Sequence, residues 1–298
     1  GGDAPGMNPA IRAVVRASVY YNLKVYGISE GYKGLIEGDI KEFHVRSVNK
    51  ILGSGGTMLK SSRSDAFRTK EGRAKAAEQL RNRGIDALVV IGGDGSLTGA
   101  ITMQEETGFP IIGIPATIDN DLSGTDFTIG YDTATNVVTE CIDKIRDTAS
   151  SHNRLFFVEV MGRESGFIAL RAAIATGAIC AMLPERATSL DELVATLRKG
   201  YRNHKTSSIV IVAEGNPNGG AIEIANKVNE NYNDYETKVT VLGHLQRGGD
   251  PSCADRVLAS EMGVGAVEGL LSGKSGHMVG VINGKVQYTL IREALKET

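Results

Sequence analysis

Short apolar runs alternate along the chain with longer stretches in which apolar residues recur every three or four positions, and that beat sets the first expectations. Residues 24–28, 87–91, 111–114, 155–160, 208–213 and 239–242 are runs of strand length, and most of them lead into Gly, Pro or a polar cluster. Between strands, Ile11, Val14, Val15 and Val19 fall on one helical face, as do Ala134, Val137, Val138, Cys141, Ile142 and Ile145. Asn8 and Pro9 read as the N-cap and first residue of the first helix. Repeated strand, helix, strand predicts an α/β fold with parallel sheets covered by helices on both faces. Ligands of such sheets bind at the carboxyl ends of the strands. The opening Gly1-Gly2-Asp3-Ala4-Pro5-Gly6 is turn chemistry, so a first strand is expected upstream of it, and a domain junction is expected at residues 130–133.

Composition narrows this picture. A length of 298 residues allows one large domain or two ordinary ones, and two is the prior. With 37 glycines, no tryptophan and 5% aromatics, the chain is composed like an α/β protein rather than a β-sandwich. The net charge is −2, with 33 basic and 35 acidic residues dispersed, so neither nucleic acid nor an anionic membrane is expected as a partner. Anions must be held by local groups. Cys141, Cys180 and Cys253 are odd in number and lack a C-x-x-C pair, which argues against disulfides or zinc and fits a cytoplasmic protein. No run of about 18 apolar residues and no charged-then-apolar leader is present, so no membrane span or signal peptide is expected.

The strand ends carry the candidate chemistry. Gly92-Gly93-Asp94-Gly95-Ser96 is either a tight turn that uses the freedom of glycine at positive φ, or a backbone cradle for phosphates with Asp94 on a magnesium ion. It is not the dinucleotide fingerprint, because Gly93-x-Gly95 is followed by Gly99, one residue too far. Gly269 to Gly273-Lys274-Ser275 has three residues between its glycines where a P-loop needs four, and reads as the end of a helix. Thr117-Ile118-Asp119-Asn120-Asp121 follows a buried strand, where two carboxylates are costly unless they bind something, the alternative being an Asx turn. Asp119 is the candidate general base for a hydroxyl and Asp121 orders the same site; on an extended segment the two would face opposite sides. Met161-Gly162-Arg163 and Leu242-Gly243-His244-Leu245-Gln246-Arg247-Gly248-Gly249 bring cations suited to phosphate to two more strand ends.

With Gly1-Gly2-Asp3-Ala4-Pro5-Gly6-Met7-Asn8, these segments together resemble the ATP-dependent 6-phosphofructokinases of bacterial type, over almost the whole chain. The resemblance implies two Rossmann-like three-layer α/β/α domains with largely parallel sheets and the active site in the cleft between them. Residues 1–130 plus 246–298 would bind nucleotide and residues 131–245 the sugar phosphate. It implies phosphoryl transfer from MgATP to the 1-hydroxyl of fructose 6-phosphate, the committed step of glycolysis. Gly2, Arg63, Gly93, Asp94, Gly95 and Ser96 would lie along the triphosphate, with Mg²⁺ at Asp94. Asp119 would be the base, with Thr117, Arg163 and Gly2 at the transferring group. Asp121, Arg154, Met161, Gly162, Glu214, Lys238, His244 and Arg247 would complete the sugar-phosphate site, Arg154 reaching in from a neighbouring subunit of a homotetramer. Arg12, Arg16, Arg146 and Lys205 would bind an ADP or phosphoenolpyruvate effector.

The chain departs from that pattern in four places. Lys238 stands where close relatives carry a second sugar-phosphate arginine, and Ala116 where they carry glycine. Ile179 and Asn203 replace an expected glutamate and arginine of the effector site, which predicts altered effector control. Three rival readings remain: a pyrophosphate-dependent enzyme, which would carry Asp at position 95 and Lys at position 116; a kinase of NAD or a lipid, which would not need residues 242–247; and a non-catalytic sugar-phosphate-binding homologue, against which Asp94, Asp119 and Arg163 argue together.

Overall fold

The computed structural model describes residues 2–149, 154–186, 188–202, 207–232 and 234–296, without the side chains of residues 201, 202 and 207. Gly1, Asn203 and Lys205 lie outside the described residues. In chain order the elements are α1 (Met7–Tyr20), β1 (Val25–Ile28), α2 (Tyr32–Glu37), β2 (Ile40–Phe43), α3 (Lys70–Asn82), β3 (Leu88–Gly92), α4 (Asp94–Thr107), β4 (Ile111–Thr117), β5 (Ile129–Gly130), α5 (Tyr131–Ala149) and β6 (Arg154–Val160). They continue with α6 (Phe167–Thr176), β7 (Cys180–Met182), α7 (Leu190–Arg202), β8 (Ser207–Ala213), α8 (Ala221–Asn231), β9 (Glu236–Val241), α9 (Cys253–Leu271), β10 (His277–Ile282), β11 (Lys285–Leu290) and α10 (Ile291–Ala294).

The chain divides into two compact units, one of Gly1–Thr117, Asp121–Asp132 and Arg247–Thr298, the other of Ile118–Asn120 and Thr133–Gln246. The division after Asp132 falls within the junction expected at residues 130–133, the one after Gln246 falls one residue beyond the expected boundary, and Ile118–Asn120 count with the second unit.

In the first unit the sheet order is β11-β10-β4-β3, with β5 on β4; β10, β4, β3 and β5 pair in parallel and β11 is antiparallel to β10. β1 and β2 form a separate antiparallel pair. One core joins Leu80, Leu88, Val90, Met103 and Ile111 beneath α2, α3 and α4. Full burial of a side chain such as Leu80 or Leu97 contributes about 1.5–3 kcal/mol. α1 and α9 pack together, and α9 covers β4 and β10. Beside β3 lies a cavity of about 700 Å³ lined by Ile11, Val15, Val25, Leu88, Val90 and Leu270 among others.

α1 begins differently from expectation. Its N-cap is Gly6 at φ 110°, and Asn8 lies inside the helix, 3% exposed. The reason is a competing set of bonds. Asn8 Nδ2 donates to the carbonyls of Ser54 and Gly55, both at 3.1 Å, and its Oδ1 accepts from Met58 N at 2.7 Å. A side chain so engaged cannot cap its own helix.

The second unit holds a wholly parallel sheet in the order β7-β8-β6-β9. Leu155 and Phe157 of β6, with Val210 and Val212 of β8, pack with Leu193, Leu197, Ile224 and Val228 of α7 and α8. α6 packs on β7 and β8. Ile179 packs against the edge of this core. No described helix is long and apolar enough to cross a membrane.

Candidate active site

On the first unit, β3 runs into α4 through the glycine segment. Gly93 is the N-cap at φ −88°, Asp94 opens α4, and Ser96 N and Leu97 N both donate to Gly93 O at 3.0 Å. None of Gly92, Gly93 and Gly95 has a positive φ. Close approach accounts for the first two instead: a Cβ on Gly92 would lie 2.5 Å from Ser96 Oγ, and one on Gly93 3.3 Å from Thr117 Cβ. Gly95 is different, since a Cβ there would meet nothing within 4 Å. The outcome is a helix N-terminus whose first amides and dipole suit an anion. Beneath it, Tyr32 donates its hydroxyl to Ser96 O at 2.5 Å and stacks on Phe67 at 3.7 Å. Burial pushes the Tyr32 hydroxyl far above its ordinary pKa, so it stays a donor.

Thr117 ends β4 and its carbonyl accepts from Thr128 Oγ1 at 2.7 Å. Arg247 folds over Gly2, where a Cβ would overlap its guanidinium, and donates from Nη2 to Asp3 O at 2.6 Å. The loop held by Asn8 touches the same segment, because a Cβ on Gly55 would overlap the carbonyl of Gly249. Arg63 is exposed. Buried Asn8 thus ties the 54–58 loop to α1, and Gly55 of that loop lies against Gly249, two residues from Arg247.

On the second unit, Asp119 is 8% exposed, its carbonyl accepts from Ser165 Oγ at 2.9 Å, and its Oδ2 lies 3.6 Å from Arg163 Nε. The segment differs from the extended one on which Asp119 and Asp121 would face opposite sides. β4 stops at Thr117 and Asn120 adopts φ 53°, so the chain turns between the two aspartates. The turn after β6 is also specialised. Gly162 has φ 141° and Arg163 φ 53°, and Glu214 Oε1 accepts from both of their amides, at 3.2 and 2.6 Å. Glu214 therefore fixes the turn that aims Arg163. Gln246, wholly buried, accepts from Met161 N at 3.1 Å and donates to Gly243 O at 3.0 Å, tying the ends of β6 and β9 together. His244 is exposed on the adjoining turn.

Arg154 and Lys238 lie elsewhere. Arg154 starts β6 and Lys238 sits early in β9, both toward the amino edge of the sheet. Glu236 joins them, with Oε2 2.9 Å from Arg154 Nε and Oε1 2.6 Å from Lys238 Nζ. The hydrogen bond from Lys238, followed by that from Arg154, pulls the Glu236 carboxyl down to about 2.

The expected effector residues that the structure describes fall on helices of both units. Arg12 and Arg16 lie one turn apart on α1 of the first unit, while Arg146 on α5 of the second donates to Thr176 O at the end of α6. Arg146 is in that bond a C-cap for α6. The segment ending in Lys274 is a helix end as expected: Lys274 N donates to Gly269 O at 2.8 Å and Gly273 has φ 81°.

Comparison with known proteins decides the family. The phosphofructokinase family model matches residues 1–270. This chain belongs to the phosphofructokinase family. ATP-dependent 6-phosphofructokinase 2 of Bacteroides thetaiotaomicron is 53% identical over 296 residues, covering 99% of this chain and 91% of that relative. ATP-dependent 6-phosphofructokinase 1 of Thermus thermophilus is 51% identical over 296 residues, covering 99% and 92%. Among solved structures, phosphofructokinase from Saccharomyces cerevisiae superposes with a TM-score of 0.93 at 40% identity, covering 99% of this chain and 44% of the yeast chain. A pyrophosphate-dependent phosphofructokinase from Marinobacter aquaeolei, at 22% identity and a TM-score of 0.86, shares the fold.

Proposed function

We propose that the protein transfers the γ-phosphoryl group of MgATP to the 1-hydroxyl of fructose 6-phosphate, releasing fructose 1,6-bisphosphate and ADP. The observation that carries this reading is the pair formed by a buried carboxylate, Asp119, and the guanidinium of Arg163 at 3.6 Å, on a turn that Glu214 holds in place. Asp119 takes the proton of the 1-hydroxyl as its oxygen attacks the γ-phosphorus, and the bond to ADP breaks. Arg163 meets the charge on the moving phosphoryl group. Phosphoryl transfer needs mostly positioning and charge neutralisation, which this chain's residues supply.

Gly93, Gly95 and Ser96 hold the donor phosphates with the first amides of α4, and Gly2, Arg63 and Thr117 line the same triphosphate. Asp94 would hold a magnesium ion, which shields phosphate charge when bound. Among the described residues no group of three or more His, Cys, Asp or Glu gathers as a metal cage. A lone carboxylate fits magnesium, which is commonly held by one or two carboxylates plus water and substrate phosphates.

Met161, Gly162, Asp121, Glu214, His244 and Arg247 hold the sugar phosphate. Arg154 stands six residues before the end of β6, about 20 Å from its carboxyl edge at about 3.3 Å per residue. That distance supports the reading that Arg154, and Lys238 beside it, serve a neighbouring subunit, so that the working form is a homotetramer. The setting is the cytoplasm. Arg12, Arg16, Arg146 and Lys205 belong to an ADP or phosphoenolpyruvate effector site, altered by Ile179 and Asn203.

The test is a coupled assay on fructose 6-phosphate with ATP and pyrophosphate in parallel. Turnover with ATP supports the reading; turnover with pyrophosphate alone rejects the donor.

A further inference from the structure

Parallel pairing of β6 with β9 sets Arg154 opposite Glu236 and Phe156 opposite Lys238. Glu236 and Lys238, two residues apart, share one face of β9. Each oxygen of Glu236 takes one cation, Oε2 from Arg154 Nε at 2.9 Å and Oε1 from Lys238 Nζ at 2.6 Å. We propose that Glu236 is a positioning residue that sets the affinity of the sugar-phosphate subsite by holding Arg154 and Lys238 together as a partly neutralised pair. This rests on the assignment of those two cations to the phosphate of fructose 6-phosphate.

The donor inventory makes the arrangement compatible with a ligand. The bond to Glu236 uses Nε, so the terminal Nη1 and Nη2 of Arg154 keep the fork that suits a phosphate, and Lys238 keeps two of its three N–H donors. The Glu236 carboxyl, drawn to about 2 by the two cations, is ionised throughout the working range of pH. The phosphate therefore meets a cluster of net charge +1 where the two cations alone would give +2. Its side chain is 53% exposed, so water weakens but does not remove the repulsion between this carboxylate and a phosphate dianion. Two gains offset only part of that loss: the two like charges of Arg154 and Lys238 are kept from repelling one another, and both long side chains are ordered before the ligand arrives.

Glu236→Gln keeps the shape and removes the charge. The expected result is a KM for fructose 6-phosphate lower by about three- to tenfold, with kcat and the KM for ATP changed less than about twofold, and a difference that shrinks in roughly 0.5 M salt. Glu236→Asp, which keeps the charge, should return the KM toward that of the parent enzyme. A merely structural role would move melting temperature and kcat together and would not depend on salt. Arg154→Ala and Lys238→Ala, measured alongside, should each raise the same KM. An unchanged or higher KM in Glu236→Gln, while both alanine variants raise it, overturns the role of Glu236. An unchanged KM in both alanine variants overturns the phosphate assignment, and the inference falls with it.

Discussion

An aspartate at position 95 tests the donor site without disturbing the fold. A Cβ on Gly95 has open space, and no left-handed backbone strains a side chain there. The position is the second residue of α4, where replacing glycine by aspartate gains about 0.3 kcal/mol of helix propensity and an acidic side chain about 0.3–1 kcal/mol from the helix dipole. The melting temperature of Gly95→Asp should therefore hold or rise by a few degrees. Donor binding should suffer. A carboxylate about 5 Å from a MgATP phosphate chain of net charge about −2 is repelled by roughly 1.6 kcal/mol even at the dielectric of water, which is about fifteenfold in affinity. The steric bulk adds to it. Steady-state KM for ATP at saturating fructose 6-phosphate should rise at least about tenfold, and less in high salt. A KM within twofold of the parent value, in a variant with an unchanged melting curve, would refute the placing of Gly95 at the triphosphate.

Three further substitutions probe separate parts. Asp119→Ser should keep the melting temperature within a few degrees and lose about 10²–10⁴ in kcat, as removal of a general base does; an active variant removes Asp119 from that role. Asn8→Asp replaces a donor to two carbonyls with an acceptor, at about 1–3 kcal/mol for each buried group left unsatisfied. Its melting temperature should fall by several degrees, and an unchanged value would show that Asn8 does not hold the 54–58 loop. Lys238→Arg restores a planar fork and should lower the KM for fructose 6-phosphate, so an unchanged or higher value counts against the assignment of that position.

The residues that were legible in sequence are those whose chemistry or burial is local. β3, β6 and β8 were foreseen within a residue because parallel strands buried on both faces leave continuous apolar runs. β4 runs three residues further than its apolar stretch, because Pro115, Ala116 and Thr117 look like a turn yet continue a buried strand. The β10–β11 hairpin carries its signal in Asn283-Gly284, whose φ values of 50° and 71° are those of a two-residue hairpin turn, but Gly280 interrupts the apolar run of β10 and β11 is mixed in polarity and mostly exposed. β9 begins at Glu236, three residues before the run that announced it, because an edge strand with both faces near water carries no apolar signal.

The chemistry follows the same division. Asp94, Asp119 and Arg163 stand out as polar residues at strand ends, whereas what holds Arg163 in place is invisible along the chain. Glu214 lies 51 residues from the amide it fixes, and Gln246 lies 85 from Met161 N. Neither residue advertises a backbone partner, since a carboxylate beside Gly215 or an amide beside Arg247 suits ligand binding equally well. The Arg154–Glu236 contact spans 82 residues and exists only because β6 and β9 pair in one register. A slip of one residue would turn Glu236 and Lys238 to the other face of the sheet and take both from Arg154. The cluster is thus a property of strand pairing, and Glu236, flanked by ordinary polar residues, becomes a candidate for tuning the phosphate subsite only once that pairing is known.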